Sequence, residues 1–289
     1  MNNDVFNMNR FGRYLMTDIK NAIARYGVSL LVMATISITG YLLAGFFTLI
    51  VGDGWHSLGE AGRGIMFGLT MLVMVISGPA KIYGFVTDKK DGSEFLMVPA
   101  SSLEKTISMI LVCCVILPFV FFAVYLSFDQ IVCLLDQNCG TSLIVTFNEG
   151  RSQVLNAFST LSVESSNIIP DVDSLTSPWL YVDDIAQNLL IFLLGALIFK
   201  TSKPAKTIGC MILISIVLSM IFAPIATHGV IERFKEAVDS NMSPEEVLNS
   251  FPFLSWTFRH AALVDTLSDT ILNLGLSIAI YFRIKKITH

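Results

Sequence analysis

The sequence predicts an all-α, polytopic membrane protein with six transmembrane helices, both termini cytoplasmic and small helical extracytoplasmic loops. Three observations carry that prediction. Apolar residues make up 53% of the 289 and charged residues only 15%, with a mean hydropathy of +0.67, whereas a soluble domain carries roughly 25% charged residues. Six stretches are long and apolar enough to cross a bilayer, which takes about 20 residues each. The basic residues alternate between the connecting loops as six crossings require.

The elements follow in chain order. Residues 1–27 read as an amphipathic interfacial helix. Phe11, Leu15, Ile19 and Ile23 recur every four residues on one face, and Arg10, Arg13, Thr17, Lys20 and Asn21 hold the other. Such a helix lies in the interface with its cations toward anionic headgroups. The block 28–128 carries the first three spans, Val28 to Ile50, Ile65 to Ile82 and Ile107 to Phe128, with a cytoplasmic elbow at 83–106. The first span is too long, and starts too late, for a cleaved signal peptide, and is expected to stay in the mature protein. Residues 129–178 form an extracytoplasmic loop subdomain. The block 179–289 holds Trp179 to Phe199, Thr207 to Thr227 and Leu263 to Phe282, with a second outer loop at 228–262. Pro79, Pro118 and Pro224 predict kinks or helix ends. Gly64/Gly68, Gly40/Ala44 and Gly275/Ala279 are small-residue pairs at the spacing that lets helices approach closely, a spacing that chance also supplies in membrane helices.

Charge fixes the orientation. With the amino terminus inside, fourteen of the 19 Lys and Arg are cytoplasmic. They are Arg10, Arg13, Lys20 and Arg25, then Lys81, Lys89, Lys90 and Lys105, then Lys200, Lys203 and Lys206, and finally Arg283, Lys285 and Lys286. Only Arg63, Arg151, Arg233, Lys235 and Arg259 fall outside. Every short inner loop is basic, as the positive-inside rule requires. A different number of spans would break the alternation. A bacterial inner membrane fits this layout.

The outer loops contain few chemical signals. Cys133 and Cys139 share the first, where an oxidising compartment would let them pair; the alternative is two unpaired thiols. Ser243-Pro244-Glu245-Glu246 in the second reads as a capping box with Pro at the first helical position, followed by an aromatic stretch ending at Trp256 that suits the interface. His56, His228 and His260 lie at outer span ends, where a metal site would need them to converge; three unrelated surface histidines is the simpler reading. Asp265, Asp269 and Asn273 recur at four-residue intervals down the outer half of the sixth span. They are candidates for a pathway-facing wall, against the plainer reading of a solvated helix start.

Enzymatic chemistry is not expected. The chain has no Walker A sequence, no HExxH, no zinc-spaced Cys/His cluster and no GxSxG, and no Lys or His at mid-depth of a span. No catalytic residue, metal or cofactor is therefore assigned, and no nucleic-acid partner. The lack of an internal repeat and of buried charge disfavours a stand-alone secondary transporter.

The most informative segment is the elbow. Asp91-Gly92 signals a turn, and Pro99 ends whatever precedes it. Ser101 and Glu104 have the spacing of a capping box that would start the helix leading into the third span. Phe95, Leu96, Pro99, Ser101, Glu104 and Lys105 are thus candidates for a partner-docking surface, with exposed charges around an apolar patch. The plainer reading is an ordinary capped loop.

At this segment the chain resembles a family of bacterial membrane proteins related to ABC exporter permeases, whose members carry a Leu-Pro-Ala-Ser-x-x-Glu-Lys run after the second span. Here the run is Val98-Pro99-Ala100-Ser101-Ser102-Leu103-Glu104-Lys105, with Val in place of Leu. The resemblance implies a permease subunit of an ABC-type exporter, working with a second permease copy or a relative. A separate cytoplasmic ATPase subunit would dock at the elbow and the amino-terminal helix, which suits the absence of a nucleotide motif. The rival reading is a non-transporting scaffold or sensor that binds a partner through its extracytoplasmic loops.

Overall fold

The computed structural model describes residues 6–52, 59–88, 92–136, 141–149, 151–152, 178–226, 256 and 261–288. Among these no strand occurs, and six helices are long and apolar enough to span a membrane. The chain is an all-α, multi-pass membrane protein. Its described helices include α1 (Met8–Val51), α2 (Glu60–Tyr83), α3 (Gly92–Met97), α4 (Ser102–Leu111), α5 (Leu117–Leu135), α6 (Pro178–Ile198), α7 (Lys203–Ala226) and α8 (Ala261–Thr288).

The chain divides into two units. One comprises 1–150, 185–204 and 272–289, and the other 151–184 and 205–271. The first contains the packed centre. There α1 lies against α2, α4 and α5. Within a bilayer, lipid is as apolar as the helix surface, so association rests on close packing and interhelical hydrogen bonds. The tightest approach is at Gly78, where an added Cβ would stand 2.7 Å from Leu117 Cδ2. The Gly64, Gly68, Gly40 and Gly275 positions expected from spacing have nothing within 4 Å of such a Cβ. Toward the outer side Phe67 is ringed by Phe121, Phe122, Tyr125 and Phe147, with ring centroids 5.2–6.0 Å away. Leu189, Leu193 and Leu197 of α6 and Ile280 and Ile284 of α8 are fully buried, and Arg283 Nε donates to the Leu197 carbonyl at 2.9 Å.

Two prolines have local consequences. Pro79 sits inside α2, which then ends at Tyr83 in a 3₁₀ turn, Gly84–Thr87. Ahead of Pro118 the helix widens into a π segment, Val112–Ile116, and the amide of Leu117 reaches back five residues to the Val112 carbonyl. Proline lacks the N–H for the carbonyl four residues earlier and its ring clashes with it; the wider turn accommodates both without breaking the span. Pro224 lies within α7, which is helical through Ala226.

In the second unit, α7 exposes apolar side chains around its circumference, Ile212, Leu213, Ile214, Ile216, Val217 and Leu218 among them. A surface of that kind belongs against lipid.

The sequence separates an interfacial helix at 1–27 from the first span. The structure has no break there, and α1 is one helix of 44 residues, about 66 Å long. Its amino-terminal half buries residues outside the apolar stripe. Ala22 and Tyr26 are buried and Asp18 is half-buried, whereas Ile23 of the apolar stripe is exposed. Phe11, Leu15 and Ile19 of the stripe are half-buried, like Asp18.

Candidate functional site

The elbow and the start of α1 are built around one carboxylate. Ser101 caps α4, its hydroxyl accepting from the Glu104 amide at 3.2 Å, and Glu104 Oε2 accepts the Ser101 amide at 2.9 Å. This is the capping box expected from sequence. The box does more than start a helix. Glu104 Oε1 also accepts the backbone amide of Asn7 (2.8 Å), and Arg10 grips both oxygens through Nε and Nη2 at 2.8 Å each. Asn7 is itself the N-cap of α1, accepting from the Asn9 and Arg10 amides. One fully buried carboxylate therefore receives four N–H donors and joins the positive ends of two helices, α1 and α4. We refer to this joint as the clasp.

A second polar tie lies further along α1. Asp18 Oδ2 accepts from Tyr83 Oη at 2.8 Å and from Ser108 Oγ at 2.6 Å. The Arg25 guanidinium stacks 3.4 Å over the Phe85 ring and donates to the Ile82 carbonyl. Tyr26 Oη meets Ser77 Oγ at 2.8 Å. Lys203, at the start of α7, donates to the Gly84 carbonyl and pairs with Asp88 at 3.1 Å. The arm of α1, the 3₁₀ turn and the base of α4 are thereby held together, and between arm and elbow lies a cavity of about 760 Å³.

The exposure of the predicted docking residues differs from expectation. Phe95, Ser101, Glu104 and Lys105 are buried, Glu104 and Lys105 at 0% and 2% exposure. The reason is local. The capping box turns Ser101 and Glu104 toward amides, and Lys105 folds over the Phe95 ring, 4.6 Å from its centroid, to donate to the Phe95 carbonyl. Pro99 is exposed, and the side chain of Leu96 lies outside the described residues. The outward apolar surface of the elbow is instead Met97, Val98, Pro99 and Leu103.

The opposite end of the core has its own ion pair. Arg63 Nη1 donates to Asp129 Oδ1 at 2.9 Å and to Cys133 Sγ at 2.7 Å, and Nη2 donates to the Thr141 carbonyl. Asp129 Oδ2 takes the Leu143 amide at 2.9 Å, and Glu60 holds the Thr141 amide and hydroxyl. The sequence signal for this knot is slight: one Arg at the start of span two and one Asp at the end of span three.

Other sequence candidates are less connected. Asp265, Asp269 and Asn273 lie along α8 as expected, respectively exposed, buried and half-buried. Cys139, the three outer histidines and the 243–246 capping box fall outside the described residues. Among the described residues no group of three His, Cys, Asp or Glu could hold a metal. Comparison with protein-family models, characterised proteins and solved structures returns no match.

Proposed function

We propose that the chain is the membrane-spanning permease subunit of an ABC-type exporter, energised by a separate cytoplasmic ATPase. The observation that carries this reading is the clasp. Docking-driven transport needs an element that takes up a push on one side and delivers it to a spanning helix. Glu104 ties the amino-terminal end of α1 to the elbow, and the elbow continues through α4 into the span that ends in α5. A displacement of either part moves two spans. The exposed Met97, Val98, Pro99 and Leu103 offer the ATPase an apolar contact on the basic side, the kind of surface through which soluble partners dock. The pathway would form between this chain and a second copy or a relative, with Asp265, Asp269 and Asn273 the candidates to face it.

The test is to purify the tagged full chain in mild detergent and identify what comes with it. An ATPase subunit in near-equal amount is the expected result. Recovery of folded protein with no ATPase, under conditions that retain other assemblies, overturns the proposal and favours a scaffold or sensor.

A further inference from the structure

We propose that the cavity between the arm of α1 and the elbow holds the phosphodiester headgroup of an anionic phospholipid. The inference stands on the geometry of this groove and does not depend on the permease reading.

The volume, about 760 Å³, is that of a small-ligand site. Its two walls differ in chemistry. Arg10, Arg13, Asp18 and Arg25 all come from α1 and line one wall of the groove. The elbow opposes them with Phe85 and Phe95. Asp18 offsets one of the three arginines and Glu104 binds Arg10, so among the described residues lining the groove one cation is in excess. That balance suits a monoanion such as a phosphodiester. Arg25 is already oriented by its stack on Phe85 and its bond to the Ile82 carbonyl, and a pre-set guanidinium fork matches phosphate oxygens.

The face of α1 below the groove identifies a lipid as the source of that phosphate. Val28 and Val32 follow Arg25 by three and seven residues, so they share its face. They are 76% and 58% exposed. The helix therefore passes within about 5 Å from a held cation to a bare apolar strip at the start of the span. A ligand with a phosphate above and acyl chains below fits both parts; a soluble phosphate leaves the strip uncovered.

The experiment uses the full chain, delipidated in mild detergent, and measures bound lipid by native mass spectrometry. Titrants are phosphatidylglycerol, phosphatidylcholine, glycerol 3-phosphate and inorganic phosphate. Phosphatidylglycerol is expected to bind in preference to the other three. Arg25→Gln and Arg13→Gln should each weaken it about fivefold, while Lys285→Gln, a basic-side change outside the groove, leaves it unaltered. Arg13 is exposed, so its variant reports on binding even if Arg25→Gln disturbs the elbow. Equal binding of the two lipids overturns the proposal. So do wild-type affinity in Arg13→Gln, an equal loss in Lys285→Gln, and protection by glycerol 3-phosphate or inorganic phosphate as strong as that by phosphatidylglycerol.

Discussion

The clasp and the outer knot use the same pair of groups in opposite ways. Both join an arginine to a carboxylate between helices of one core. At the knot both partners are closed off, Arg63 at 6% and Asp129 at 2% side-chain exposure. At the clasp only the carboxylate is enclosed, while Arg10 keeps 29% exposure beside an open groove. A buried pair on both sides is costly to break, because either residue alone leaves an uncompensated charge. At the clasp, water reaches the arginine but not the carboxylate. The knot is a staple between α2 and α5 closed on both sides, and the clasp holds α1 to the elbow through a carboxylate that depends on its four N–H donors.

The comparison breaks first at the knot. Asp129→Ala should destabilise the protein by about 3–5 kcal/mol, seen as loss of the folded fraction on heating in detergent; a change of a few tenths would mean that the pair is solvated. Next comes the α2–α5 contact between the two ion pairs. Gly78→Val forces Leu117 to move and should cost about 1–3 kcal/mol in the same assay. Glu104→Ala should leave the spans folded and release the arm, so that the amides of residues 8–18 exchange hydrogen about tenfold or more faster as that region opens locally. Unchanged exchange there would show that the Asp18 tie alone holds α1. Ser101→Ala removes one cap bond, and a loss of about 1 kcal/mol with the arm still protected separates the cap from the clasp.

The fold was largely legible because bilayer thickness and loop charge are strong constraints. Six apolar segments alternating across basic loops leave little freedom, and the six spanning helices lie where hydropathy placed them. The capping box was legible for a similar reason, since Ser101 and Glu104 are three residues apart and their bonding is local. The clasp was not. Glu104 finds Arg10 across 94 residues, and no periodicity encodes that distance. The inward packing of α1 has no such local signal: the period of Phe11, Leu15, Ile19 and Ile23 marks a membrane-facing stripe, and nothing in it shows that Ala22 and Tyr26 are buried or that Asp18 meets Tyr83 and Ser108. The knot is not legible because hydropathy starts a loop at Asp129, whereas α5 continues to Leu135.

The central claim is that the clasp transmits the work of a separate ATPase to the spans. It is tested most directly by reconstituting the chain with the ATPase that the pull-down is expected to recover and comparing ATP hydrolysis with that of the Ser101→Ala/Glu104→Ala double variant. The account predicts that the double variant still inserts and still binds the ATPase through Met97, Val98 and Leu103, but no longer changes its hydrolysis rate as the wild type does. Undiminished coupling in the double variant would contradict it.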